Sequence, residues 1–175
     1  MNVTTVRPVA LTGLAFCALM MVVALGLEHI VGLAPCPLCI FQRVAVLATA
    51  AVLAVAAVHN PHGRLGTAVY GVLGLVTVGG GAFIAGRHVW LQTLPADKVP
   101  SCGPGLDYML DILPLQDVVG MVLSGSGECA EIDFMLLGLS LPAWTLIGFA
   151  ILALVPLRLL WLAWAKGAKF IPQRD

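Results

Sequence analysis

Charge is scarce in this sequence. Of its 175 residues only 10% are Asp, Glu, Lys or Arg, against about 25% in a soluble domain, and 60% are hydrophobic. With a mean hydropathy of +1.01, a water-soluble enzyme and a disordered regulator are both excluded. Net charge is missing as well: nine basic and nine acidic residues cancel, so no global field attracts a polyanion and nucleic acid is not a partner. Internal repeats and low-complexity tracts are also lacking. What the chain does have is apolar stretches of membrane-spanning length and five cysteines.

Four stretches suit the ~20 apolar residues that a helix needs to cross a hydrocarbon core. The first runs from about Val9 to Leu27 without charge; it is too long for the apolar part of a signal peptide and is read as a retained helix. The second has its uninterrupted apolar part between Val44 and Val58, only about 22 Å of helix. To cross, it must start near Cys36, at residue 37 or so, which draws Arg43 into its outer turns. The third, Leu65 to Gly86, is rich in glycine, as suits a helix that lies close against its neighbours, with local loosening expected at Gly79-Gly80-Gly81. The fourth starts after Pro142 and ends near Trp164, with Trp144 and Trp161 about 26 Å apart as interfacial anchors.

A long loop, Arg87 to Leu141, joins spans three and four. In it Leu115, Val118, Val119, Val122 and Leu123 fall on one helical face, opposite Gln116, Asp117 and Ser124. That pattern suits a short amphipathic helix on the membrane surface or a helix packed in a small loop core. The expected fold is therefore an all-α membrane protein, one domain of residues 1–175: a four-transmembrane-helix bundle with a long outer loop carrying a short amphipathic surface helix.

Six of the nine basic residues (Arg7, Arg64, Arg158, Lys166, Lys169 and Arg174) lie in or beside the N-terminus, the connection between spans two and three, and the C-terminal tail. The positive-inside rule puts these segments, and so both termini, in the cytoplasm. Cys36, Cys39, Cys102 and Cys129 then fall on the outer side, where thiols can be oxidised and stay so. Cys17, in the middle of the first span, reads as a packing residue.

Cys36-Pro37-Leu38-Cys39 opens the second span. Pro37 suits the first helical position, and Cys39 sits in the first turn, where free N–H groups and the helix dipole favour negative charge. Cys36, Cys39 and Arg43 are spaced to share one face, and an arginine within a span points to function. The alternatives for this pair are a static disulfide, which closes too short a loop to gain much chain entropy, or half of a zinc site completed by Cys102 and Cys129. No histidine follows Cys39, which excludes covalent c-type haem attachment.

Cys102 and Cys129 lie in flexible, polar surroundings, beside Gly103-Pro104-Gly105 and Ser124-Gly125-Ser126-Gly127. Taken alone they suit a stapling disulfide as well as one that is attacked and reformed. Two pairs together can pass two electrons from a soluble dithiol to the loop pair and on to the pair at the membrane. The acceptor must then live in the lipid, as a quinone does.

The run CPLCIFQR from Cys36 to Arg43, RHVWLQ from Arg87 to Gln92, the loop cysteines Cys102 and Cys129, and SGSGECAEIDFMLLGLSLPAW from Ser124 to Trp144 resemble the DsbB family of the bacterial inner membrane. The resemblance covers nearly the whole chain. It implies a thiol:quinone oxidoreductase that reoxidises the periplasmic dithiol oxidase DsbA and passes electrons to ubiquinone, or to menaquinone when oxygen is scarce, the relay that keeps the periplasm oxidising. It implies Cys102 as the sulfur attacked by the partner and Cys129 as its bridge partner. Cys36 would exchange with the loop pair, and Cys39 would engage the quinone through a charge-transfer or covalent adduct. Arg43 matches the family's quinone-contacting arginine, and His88 stands where the family often has a histidine near the ring. Gln42 replaces a glutamate found in some members, which is expected to leave Arg43 without that carboxylate partner. Glu28 and His29 read as ordinary boundary residues, and His59 and His62 receive no role.

Three rivals remain. A conduit delivering reducing equivalents outward needs a cysteine pair open to the cytoplasm, which the topology does not provide. An oxidase of the vitamin K epoxide reductase type places its C-x-x-C near the last span, not at the second. A non-catalytic membrane assembly or binding protein with a four-cysteine zinc site differs in class, and metal analysis with thiol counting separates it from an oxidase.

Overall fold

In the computed structural model, residues 5–99, 106–125, 127–132 and 134–168 are described. Four helices are long and apolar enough to cross a membrane: α1 (Val6–His29), α2 (Pro37–His59), α3 (Arg64–Gln92) and α7 (Leu141–Ala168). Each packs against its neighbours in the ring α1–α2–α3–α7, with α7 closing onto α1. Between α3 and α7 lie the short helices α4 (Leu106–Ile112), α5 (Leu115–Ser124) and α6 (Gly127–Ala130), then a hairpin of β1 (Met135–Leu136) and β2 (Leu139–Ser140). Leu137 and Gly138, both at positive φ, make its two-residue turn.

The bundle buries Val46, Leu53, Val78, Phe149, Leu152 and Leu159, with Cys17 among them as a packing residue. Outward-facing Val22, Val58, Val76, Phe83 and Leu154 are exposed on the helices, as apolar side chains are where lipid replaces water. The α3–α7 seam is close and extensive. A Cβ at Gly71 would fall 2.7 Å from the Leu160 side chain, and one at Gly81 would overlap the Phe149 ring. Missing side chains here let two backbones approach. Gly79 and Gly80 meet nothing within 4 Å, and the helix runs through them unbroken. Pro156 sits inside α7, fully buried against Gly74. Thr49 of α2 donates to Thr77 of α3 across 2.9 Å, and at the termini end Lys166 Nζ bonds the Pro61 carbonyl and Thr67 Oγ1.

One boundary differs from expectation, that between the third span and the loop. The third span does not stop at Gly86 but continues to Gln92, so Arg87 to Gln92 are helix and not loop. At 29 residues, α3 is about 43 Å long, well over the ~30 Å of a hydrocarbon core. Its surplus turns are covered by the loop, which forms a second small core: Val118 and Val122 of α5 are buried with Leu38, Leu91, Met109 and Cys129. The expected helix over 115–124 is present, packed along one edge and exposed at Leu115 and Met121. Arg87 fastens this cap. Its Nε and Nη2 donate to the carbonyls of Leu123 and Ser124, at 3.1 and 3.0 Å, closing the end of α5, while its guanidinium stacks 4.2 Å from the Trp90 ring.

Candidate functional site

The cap and the surplus of α3 converge on the start of α2. Cys36 is the N-cap residue in extended conformation, Pro37 opens the helix, and the Ile40 N–H makes the first helical bond to the Cys36 carbonyl. The turn brings the sulfurs of Cys36 and Cys39 to 3.3 Å, with Cys36 Sγ donating to Cys39 Sγ. His88, 3% exposed, reaches in from α3 between them: Nε2 lies 3.8 Å from Cys36 Sγ and Nδ1 lies 3.9 Å from Cys39 Sγ. Gln42, also buried, places its Nε2 3.2 Å from His88 Nδ1. An amide N–H donating there makes Nδ1 the acceptor, so the ring proton sits on Nε2, facing Cys36. His88 is thus buried beside both sulfurs, with the Gln42 amide against its Nδ1.

Cys129 comes from the short helix α6 and is buried in the cap. Its Sγ, that of Cys36 and a ring nitrogen of His88 lie within 4.8 Å of one another. Sequence separation of 93 residues is removed by folding the loop back onto α2 and α3. Cys102 lies outside the described residues. The cluster has donor types that zinc accepts and supplies three of the four ligands that a structural zinc site needs.

Cys36, Cys39 and His88 open onto a cavity of about 380 Å³ whose walls are α1, the start of α2 and the first turns of α7. Most of its surface is apolar: Phe16, Leu19, Met20, Val23 and Leu27 of α1 face Trp144, Ile147, Gly148 and Ile151 of α7. Its polar lining is at the loop end, where Glu28, Gln42, Arg43, Gln92, Glu128, Glu131 and Thr145 join the sulfurs. An apolar slot with a few convergent donors is the form of a site for a small lipophilic molecule.

Two residues at this end differ from expectation. Arg43 has a carboxylate partner after all: its Nη1 is paired with Glu28 Oε2, and its Nη2 donates to the Ala24 carbonyl at 3.3 Å. Glu28 is therefore part of the cavity and not an ordinary boundary residue. The signal available in the sequence was a lone acid at the end of a charge-free span opposite a lone arginine in the next. His29 bonds only its own helix, through the Leu25 carbonyl, and His59 meets Tyr70 far from the cysteines.

The family model of disulfide bond formation protein DsbB matches residues 6–159. The chain is 58% identical over 156 residues to the disulfide bond formation protein B of Chromohalobacter salexigens, covering 89% of this chain and 91% of that one. It is 51% identical to the protein of that name from Nitrosococcus oceani, covering 87% and 90%, and 50% identical to that of Methylococcus capsulatus, covering 85% and 90%.

Proposed function

We propose that this chain, which belongs to the DsbB family and has an oxidoreductase role in disulfide bond formation, performs that role as a thiol:quinone oxidoreductase of the bacterial inner membrane. It takes electrons from a DsbA-type periplasmic dithiol oxidase and delivers them to ubiquinone, or to menaquinone. Both termini are cytoplasmic and both cysteine pairs periplasmic. The observation that carries the reading is that one cysteine pair faces two ways, toward a loop cysteine within 4.8 Å of Cys36 and toward an apolar cavity lined by Cys36 and Cys39.

The residues present fit a quinone: an apolar slot takes the ring and the start of its tail, and Arg43, Gln42 and His88 are hydrogen-bonding groups at its polar end. A bound quinone supplies an acceptor for two electrons and two protons. The chain's own part is thiol–disulfide exchange. The partner's thiolate attacks Cys102 of a Cys102–Cys129 bridge, forming a mixed disulfide and releasing Cys129 as thiolate; the partner's second thiolate then completes its own disulfide and releases Cys102. Cys129 attacks Cys36 of a Cys36–Cys39 bridge, so one S–S bond forms as another breaks and Cys39 leaves as thiolate beside the cavity. Resolution of the Cys36–Cys129 bond by Cys102 restores the loop bridge and leaves Cys36 and Cys39 carrying the electron pair. The His88 N–H, aimed at Cys36 by Gln42, supports negative charge on sulfur during exchange.

The test is purified chain with a reduced dithiol oxidase and a short-chain ubiquinone analogue. One quinone is consumed per partner disulfide formed, and the product accumulates catalytically. No quinone consumption, with stoichiometric zinc holding the thiols, establishes the assembly or binding protein instead.

A further inference from the structure

Three carboxylates on the cavity lining have no task in the exchange chemistry, Glu28, Glu128 and Glu131, and the one paired with Arg43 is Glu28. It and Arg43 are both on the cavity wall, and both side chains are partly exposed, 29% and 20%. Ala24 and Glu28 stand four residues apart on α1, hence one above the other on a single helical face. Together they present two acceptors, a backbone carbonyl and a carboxylate, to Nη2 and Nη1 of the same guanidinium. An arginine on its long stem at this level of a bundle otherwise turns its head toward water. Held by α1, two of its five N–H groups are committed and three remain for a ligand oxygen.

We propose that Glu28 is the positioning residue for Arg43 in the quinone site: the α1 fork of Glu28 and the Ala24 carbonyl holds the guanidinium at the cavity so that its free N–H groups meet a quinone oxygen. The inference rests on the thiol:quinone reading above and adds to it a residue that touches none of the sulfurs. It separates two functions by geometry. Exchange among Cys36, Cys39 and Cys129 involves α2, α3 and α6, whereas the α1 fork acts on the quinone alone, through Arg43.

Glu28→Gln keeps the shape and removes the charge that fixes Arg43. The expected result is a rise of about tenfold in KM for a short-chain ubiquinone, equivalent to about 1.4 kcal/mol, with kcat within about twofold. A matching tenfold weakening is expected in quinone binding, read by quenching of tryptophan fluorescence, since Trp144 lines the cavity. Glu28→Asp recovers part of the affinity, and exchange between the dithiol partner and the loop pair, measured without quinone, is unchanged in both variants. Arg43→Ala is the reference. If it weakens quinone binding while Glu28→Gln does not, or if Glu28→Gln only lowers the melting temperature, the positioning role is overturned and the oxidase reading stands. If neither variant affects quinone binding, the role of Arg43 fails and that of Glu28 fails with it.

Discussion

The two seams that α7 makes with its neighbours are built on opposite plans. Against α3 it packs with backbone close to backbone, because Gly71, Gly74 and Gly81 leave room for Leu160, Pro156 and Phe149. Against α1 it closes where Gly13 meets Val155 and Gly148 meets Met20, but toward the loop end it leaves the cavity lined by Val23, Leu27, Trp144, Ile147 and the cysteines. In lipid there is little hydrophobic penalty for leaving apolar surfaces unpaired, so helix association depends on how well surfaces fit. The close seam makes a rigid frame, and the open seam leaves an apolar slot beside the sulfurs of Cys36 and Cys39.

The contrast can be broken from either side. Cys39→Ser has the largest expected effect: quinone reduction falls to background while the melting temperature stays within about 2 °C, because the loss is chemical and not structural; retained turnover would show that electrons leave by another residue. Next is Gly81→Leu, which drives a branched side chain into the Phe149 ring. Overpacking of this kind costs about 1–3 kcal/mol, and the expected result is a clear fall in thermal stability in detergent, with an unchanged melting temperature counting against a close seam. His88→Ala is smaller, a slowing of about tenfold in exchange between Cys129 and the Cys36–Cys39 pair, read in single turnover without quinone; an unaltered rate would reduce His88 to packing. Gly80→Ala, one residue from the sensitive position, is the smallest. Its Cβ meets nothing within 4 Å, so stability should be unchanged or slightly raised through helix propensity. A large loss there would mean that α3 is packed differently.

The difference between the seams also accounts for what the sequence made legible. Spans were readable because length and apolarity are local properties, and the Cys36–Cys39 pair was readable because a C-x-x-C run at a helix start has local meaning. The full extent of α3 was not, since Arg87, His88 and Gln92 look like the polar end of a span. They stay helical because the loop core, with Leu91 against Val118 and Val122, covers the turns that emerge from lipid. Glycines pointed to close packing but not to which of them do it: Gly71 and Gly81 face α7, while Gly79 and Gly80 contact no other side chain. The meeting of Cys129 with Cys36 and the capture of Arg43 by Glu28 are tertiary facts. Gln42 shows this best, since its replacement of a glutamate suggested an arginine without a carboxylate, whereas the carboxylate arrives from α1 and Gln42 turns to His88.

The central claim is that the sulfurs of Cys36 and Cys39 hand an electron pair to a molecule held in the gap between α1 and α7. It is tested most directly by adding one equivalent of quinone to the fully reduced chain and mapping which thiols are lost. Two thiols lost per quinone reduced, assigned to Cys36 and Cys39 in a variant lacking both loop cysteines, is the result the account predicts. Quinone left oxidised, with both thiols still titratable in that variant, would contradict it.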